Sequence, residues 1–574
     1  MNASALFMKM NSSRGFLYSM EMRNISLFLC LFLLACGKDD DSSKTEPPVE
    51  ELFISRLVMV NGVSDGLNYN NVSINPRIEV QFSLPVDKDA ASAAVKMNKS
   101  NTEAATAVRI SFEKNDSAII IQPANPLSEF SKYTISVSTS LKTKNGVSLA
   151  LPLSVNLSTS IDSTYKFPVI SDEELLTLVQ RQTFRYFWEF GHPVSGMARE
   201  RSTSGNTVTT GGTGFGIMAM IVAVEREFIS RNDASERVRK IVTFLKDKCT
   251  SYHGVYSHWV NGETGQTQPF SSKDNGADLV ETSYLFKGLL TARQYFSGND
   301  VVETQLRSDI NDLWEAVEWD WFRRDGQNVL YWHWSPDYEW DMNHQIRGWN
   351  ECLITYIMAA SSPTYPIPAI VYDEGWAKGG GIKNGNTYHG HKLPLGESFG
   401  GPLFFAHYSF LGINPHGLSD KYADYWEQNT NHSLINYRHC IENPSNYLLY
   451  SADCWGLTAG DGDKGYSAHS PTNDKGVISP TAALSSMPFT PGESTKALHF
   501  FYYLMGDKLW KEYGFVDAFN PTANWYDTQF LAIDQGPVVI MIENYRTGLV
   551  WNLFMSCPEI QEGLSKLGFN FTVE

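Results

Sequence analysis

The 574 residues, at about 150 per domain, leave room for two to four domains. Apolar residues make up 42% and charged ones 19%, which allows a large core and excludes global disorder. Acids outnumber bases 63 to 46, for a net charge of −17, and no Lys/Arg-rich run supplies the clustered positive field that a nucleic-acid partner requires.

In chain order, the first signal is Ile25 to Ala35 (ISLFLCLFLLA), which follows Arg23 and ends in Leu33-Leu34-Ala35-Cys36. It is too short to span a bilayer, which needs about 20 residues, and fits a secretory signal over residues 1–35. The Leu-Leu-Ala-Cys ending resembles a bacterial lipobox, so Cys36 is expected to carry the lipid and become the mature N-terminus. Residues before Ile25 are long for a basic leader, and translation from Met20 or Met22 would shorten them. Residues 36–51, with Asp39-Asp40-Asp41 and Pro47-Pro48, read as a polar tether. Acid-rich tethers after a lipid Cys resemble the export signal of Bacteroidetes surface lipoproteins. The expected address is the outer face of the outer membrane, with the periplasmic face as alternative. Five cysteines outside the leader are scattered with no CxxC pair, so neither a zinc site nor a disulfide framework is indicated; a Cys440–Cys454 bridge stays open.

From residue 52 to 160 the pattern has period two. Ile78, Val80 and Phe82 alternate with polar residues, as do Val108, Ile110 and Phe112, then Tyr133, Ile135 and Val137, then Leu153, Val155 and Leu157. Such strands bury one side, and Asn145-Gly146 supplies a turn. The region reads as an all-β sandwich, resembling bacterial immunoglobulin-like modules, with a spacer role.

The texture changes near Pro168. Ser171-Asp172-Glu173-Glu174 forms a capping box opening a helix to Phe190. Helical stretches follow at about 214–229, 234–249, 276–297, 301–322, 349–361, 397–412, 419–441, 480–488, 494–513 and 535–545. Residues 165–574 are too many for a simple bundle, and an all-α (α/α)6 toroid is the closed solution. The Gly211–Gly216 run follows no strand and reads as tight packing, not a phosphate loop.

Three acidic segments carry candidate chemistry. Asp274, Asp278 and Glu281 stand at i, i+4 and i+7, which on one helix would stack them on a single face. Glu351 follows Arg347, Trp349 and Asn350 at a helix start, where a desolvated acid could hold a proton at neutral pH. Asp534 interrupts the apolar run Phe530-Leu531-Ala532-Ile533. Residue types alone equally allow plain helix-start roles for Glu351 and Asp534. Asp461-Gly462-Asp463 is half a calcium loop, but position twelve is Thr472 where a bidentate Glu is needed. An acid-rich, aromatic-rich cleft without cofactor or metal fits glycoside hydrolysis best.

Phe184-Arg185-Tyr186-Phe187-Trp188, Ala198-Arg199-Glu200-Arg201, the Asp274/Asp278/Glu281 segment, Gly348-Trp349-Asn350-Glu351, Gly456-Leu457-Thr458-Ala459 and Ile542 to Gly548 together resemble the putative-glucoamylase superfamily, and most of all the β-1,2-glucanases of glycoside hydrolase family 144. The resemblance implies an (α/α)6 barrel and metal-independent, inverting hydrolysis of β-1,2-glucan, either within chains or by release of sophorose from an end. It implies Glu351 as general acid, Asp534 on the base side, and Asp274, Asp278, Glu281, Arg199, Trp349 and Tyr466 as substrate contacts. The partner is then a glucan, and the chain is expected to act as a monomer. Two alternatives remain: a glycan-binding surface lipoprotein without catalysis, and a toroid hydrolase of another glucan linkage. Cys36→Ser is expected to move the protein from the membrane fraction to the soluble fraction with its activity intact. Continued membrane retention of the variant would contradict the lipid anchor.

Overall fold

The computed structural model describes residues 52–100 and 105–573. The leader, Cys36 and the whole of the tether lie outside the described residues. The chain divides between Asp162 and Ser163 into two compact units.

The first unit holds strands β1 (Ser55–Val60), β2 (Asn68–Val72), β3 (Ile78–Phe82), β4 (Val95–Lys99), β5 (Ala105–Thr106), β6 (Val108–Glu113), β7 (Ala118–Pro123), β8 (Lys132–Val137) and β9 (Leu153–Thr159), with one short helix, α1 (Lys88–Ala94). One sheet has the order β1-β3-β7-β6 and the other β2-β9-β8-β4-β5. Among the described residues only the β2–β9 pairing is parallel. The inward residues of both sheets, among them Val80, Ile119, Ile121, Ile135 and Val155, form one core. Val108, Ile110 and Phe112 keep their alternation but are only half-buried against it. Gly146, at φ 85°, makes the turn before β9 in a left-handed conformation that costs glycine little.

The second unit is helical: α2 (Asp172–Trp188), α3 (Thr210–Glu225), α4 (Arg231–Asp247), α5 (Leu279–Tyr295), α6 (Val301–Glu315), α7 (Leu353–Ser361), α8 (Tyr425–Glu442), α9 (Pro480–Ser485), α10 (Pro491–His499), α11 (Ala532–Thr547), α12 (Leu549–Met555) and α13 (Pro558–Lys566). The Ser171 capping box is formed in full. Two helices beyond residue 545 have no counterpart in the periodicity, because Gly548 (φ 71°) breaks the run before Leu549. The stretch expected at 397–412 is helical only over Phe404–His407 and Ser409–Leu411. Cys440 and Cys454 are buried and unpaired.

Burial alternates along the chain. Helices α3, α5, α7, α9 and α11 are buried nearly all round, whereas α4 and α6 bury one face. A helix apolar on every side belongs inside other helices. Accordingly α3 packs on α5 and α11, α5 on α7, and α11 on α9. The α3–α5 crossing is close because glycines meet there: a Cβ on Gly288 would lie 2.2 Å from the Gly214 carbonyl oxygen, and one on Gly214 2.1 Å from that of Tyr284. Lys287 of α5 is fully buried between the Phe215 and Tyr284 rings and donates to the Tyr408 carbonyl, tying α5 to the 404–411 segment. The loops and first turns at the N-terminal ends of these inner helices carry the candidate acids.

Candidate active site

Helix α5 starts at Leu279, not at Asp274, so the three acids do not stack on one helical face. Residues 277–278 instead form a short strand pairing with 333–334. Gly276 packs so tightly on this ladder that a Cβ would meet the Trp334 carbonyl oxygen at 2.3 Å. Asp278 is the N-cap: its Oδ1 accepts the Val280 and Glu281 N–H groups at 3.0 and 2.9 Å. The acids nevertheless converge, through two histidines. Asp278 Oδ2 lies 3.1 Å from His258 Nδ1, and His333 Nε2 lies 3.3 Å from Asp274 Oδ2 and 3.7 Å from Asp278 Oδ2. Glu281 reaches α3, where its Oε2 accepts the Gly211 N–H at 2.9 Å and the Thr209 hydroxyl at 3.2 Å.

The two histidines take opposite charge states. Burial opposes a charge on His258, but Glu281, Asp278 and Asp274 outweigh it and raise its pKa to about 9. His333 meets fewer anions, and burial carries it down to about 4. Asp274 is raised to about 7 by burial and by the neighbouring Asp278 charge. Asp278 is itself buried, yet the His258 hydrogen bond and His333 hold it below the usual carboxylate range.

Glu351 sits in the turn just before α7, held by its backbone: its carbonyl oxygen accepts the Ser409 hydroxyl at 2.5 Å and the Tyr284 hydroxyl at 3.4 Å. Burial, then the Glu281 and Asp278 charges, raise its carboxyl to about 7. Trp349, two residues earlier, is 7% exposed and packs near Phe410, Tyr425 and His432. A Cβ on Gly396 would meet its ring at 2.9 Å. This tryptophan is packed among aromatic neighbours two residues before Glu351.

A second acidic group gathers at the start of α11. The 200–202 strand lies along Phe530–Ala532 through Ala532 N–H to Glu200 O and Ser202 N–H to Phe530 O, both 3.0 Å. Arg201 thereby bonds Asp461 at 2.9 Å and Glu200 at 3.0 Å. Asp517 Oδ2 accepts the Asp461 N–H at 2.6 Å, and the Thr481 hydroxyl donates to the Asp534 carbonyl at 2.8 Å. Asp534 is raised to about 7, by burial first and then Asp461 and Glu200, against the Asp517 hydrogen bond and Arg201. Asp527, whose Oδ1 accepts the Thr528 and Gln529 N–H groups, is raised to about 6 by burial. The cation here is Arg201. The Arg199 guanidinium lies 4.7 Å from the Phe190 ring centroid and is in no ion pair among the described residues.

The two groups are neighbours that share electrostatic partners. Tyr408, buried on the 404–411 segment, feels both Asp534 and Glu351, and Glu200 feels both His258 and Asp461. Tyr466, on the turn between the paired strands 459–460 and 467–468, is 47% exposed. Protein crowding around its hydroxyl, then Asp534, Asp517 and Asp461, raise its pKa. A side chain both surrounded and open to solvent lies in a cleft. Asp461 therefore serves Arg201, and Asp463 accepts from the Asn520 amide at 2.9 Å, so the calcium-like run is spent on protein contacts.

Two clusters have ligand atoms within 4.8 Å of one another, Asp274/Asp278/His333 and Asp461/Asp517/Asp527. In both, N–H or guanidinium donors already occupy carboxylate oxygens, so neither is assigned to a metal. His258, His333, Tyr408 and Asp517 escaped the sequence reading. Asp517 had a legible signal, since it interrupts the run Phe515-Val516-Asp517-Ala518-Phe519 as Asp534 does its own.

The family model described as putative glucoamylase matches residues 343–558, and that of a bacterial Ig-like domain residues 60–160. A crystal structure of a putative glucoamylase from Bacteroides uniformis is 58% identical, with a TM-score of 0.69 over 70% of this chain and 99% of that one. The chain belongs to the putative-glucoamylase family. An endo-β-1,2-glucanase from Chitinophaga pinensis, solved with sophorotriose and glucose, is 55% identical over 70% of this chain and 99% of its own, with a TM-score of 0.69. An exo β-1,2-glucooligosaccharide sophorohydrolase (non-reducing end) from Parabacteroides distasonis is 48% identical over 420 residues, 69% of this chain. This chain spans 58% of that relative's length.

For this family member the raised Glu351 pKa carries a stability cost. Its folded value of about 7 exceeds the usual 4.5, so folding favours the protonated form, and that contribution is lost as pH rises from 4.5 through 7. Glu351→Gln should match wild type in thermal melts at low pH and exceed it at pH above 8 by about 1–3 kcal/mol. Equal melting at both ends of the range would contradict a buried, proton-holding Glu351.

Proposed function

We propose that the helical unit is a glycoside hydrolase that cleaves β-1,2-glucan with inversion, acting within chains or releasing sophorose from an end. The observation that carries this reading is the pair of buried carboxyls Glu351 and Asp534, both raised to about 7 and both close enough to act on Tyr408. A carboxyl half-protonated at neutral pH can donate to a leaving oxygen, and a second carboxylate can take a proton from water. Glu351 protonates the glycosidic oxygen as the C–O bond breaks. Asp534 accepts a proton from the attacking water. Asp274, Asp278, Glu281, Arg199, Trp349 and Tyr466 contact the sugar.

The substrate class is supported by the relatives, which are an endo-β-1,2-glucanase and a sophorohydrolase. The alternation of buried and one-faced helices supports a closed (α/α)6 double ring. The lipobox-like ending at Cys36 supports a lipid-anchored protein on the outer membrane, with the tether favouring its outer face. Among the described residues no helix is long and apolar enough to cross a membrane.

A panel of linkage-defined glucans with products resolved by length tests the substrate. The acid assignment is tested by Glu351→Gln, which keeps shape and removes the transferable proton. Turnover on natural glucan should fall about 10²–10⁴-fold with binding retained, and a substrate with an activated leaving group should be partly spared. Asp534→Asn should show no such sparing. Equal losses on both substrates for Glu351→Gln would contradict its role as acid.

A further inference from the structure

Asp517 is 3% exposed, and it and Asp534 line one small cavity and act on each other electrostatically. Its Oδ2 is taken by the Asp461 N–H at 2.6 Å. Its Oδ1, and Asp534 Oδ2, are buried atoms that no N–H or hydroxyl of the described residues reaches. Behind the pair lies a cavity of about 10 Å³, walled by Thr183, Phe515, Leu531 and Val538, with room for one water at most. Two buried carboxylates facing one cavity repel unless a proton lies between them.

We infer that Asp517 is a positioning residue that stays protonated and donates its carboxyl hydrogen to Asp534 Oδ2, leaving Asp534 Oδ1 ionised and turned toward the cleft. The direction of the electrostatics agrees: burial and then Asp534 push Asp517 well above the carboxylate range, while the bond from Asp517 lowers Asp534. The other groups facing the pair are Asp461, Asp527, Glu200 and Arg201 from the loops, with the Tyr408 and Tyr466 phenols. Of these only Arg201 is positive, and it is shared between Asp461 and Glu200. A neutral donor at 517 is therefore what keeps Asp534 available as a base near neutral pH. In the reaction the water O–H bond breaks, its proton bonds to Asp534 Oδ1, and its electron pair forms the new bond to the anomeric carbon. The old glycosidic bond's electrons stay on the leaving oxygen, which takes the Glu351 proton. The Asp517 proton does not transfer.

This inference rests on Asp534 being the base, and the test separates the two. The pH dependence of kcat/KM is measured for the full chain, Asp517→Ala and Asp517→Asn on β-1,2-glucan, with kcat and KM resolved. Loss of the donor in Asp517→Ala should move the acidic limb up by about one to two pH units, with kcat below the limb falling about tenfold or more and KM little changed. The amide N–H of Asp517→Asn should restore the donor and return the limb close to its wild-type position. Carbon-13 NMR of labelled aspartate should show a carboxyl still protonated at neutral pH that disappears in Asp517→Asn. A limb that drops by about one unit or more in Asp517→Asn would mean that Asp517 is ionised and would overturn the inference, as would an unmoved limb in Asp517→Ala. Full turnover in Asp534→Asn would instead overturn the base assignment, while the NMR signal, which needs no activity and no alanine variant, still decides the charge of Asp517.

Discussion

A buried carboxylate is tolerated only where donors replace its water, and in this protein the first turns of the inner helices supply many of them. Asp278 caps α5 and accepts two of its N–H groups, while Glu281 in the same turn accepts the second N–H of α3. Glu351 precedes α7, and Asp534 occupies the first turn of α11. The acids therefore gather where the helices begin, because that is where unsatisfied N–H groups and the positive ends of helix dipoles are. The close glycine contacts between α3 and α5 serve the same end, bringing the N-termini near enough for Glu281 to bridge them.

Those donors are too few to neutralise every acid, and the shortfall sorts the carboxyls. Asp278, with two N–H groups and His258, is held below the usual carboxylate range; Asp274, with His333 at 3.3 Å and no N–H on its carboxylate among the described residues, is raised to about 7. Glu351 has its backbone anchored but its carboxyl exposed to like charges, which leaves it holding a proton near neutrality. The resulting spread of proton affinities among similar side chains is what acid and base chemistry at one pH requires.

Much of this was legible in the sequence where the determinants were local. The Ser171 capping box, the alternation in β8 and β9, and the acids at 274, 278, 281, 351 and 534 each announce themselves within a few residues. What the sequence withheld depends on distant partners. The i, i+4, i+7 spacing suggested one helix face, but strand pairing at 277–278 and the tight fit of Gly276 start the helix later, and the convergence comes through His258 and His333 instead. Trp349 and Arg199 were ambiguous by type: an indole fills a core as readily as it stacks on a sugar, and a guanidinium rests on Phe190 as readily as it binds substrate. The structure sets Trp349 against Gly396 and Arg199 beside Phe190, neighbours far away in sequence or not legible from residue type.

The central claim is that two buried carboxyls split the work of proton donation and water activation. The stereochemistry of the released sugar tests it most directly. Proton NMR of β-1,2-glucan during the first minutes of hydrolysis, before mutarotation mixes the anomers, should show the α-anomer of the new reducing end forming first. First appearance of the β-anomer would require a covalent intermediate and a nucleophilic carboxylate, and would contradict the account.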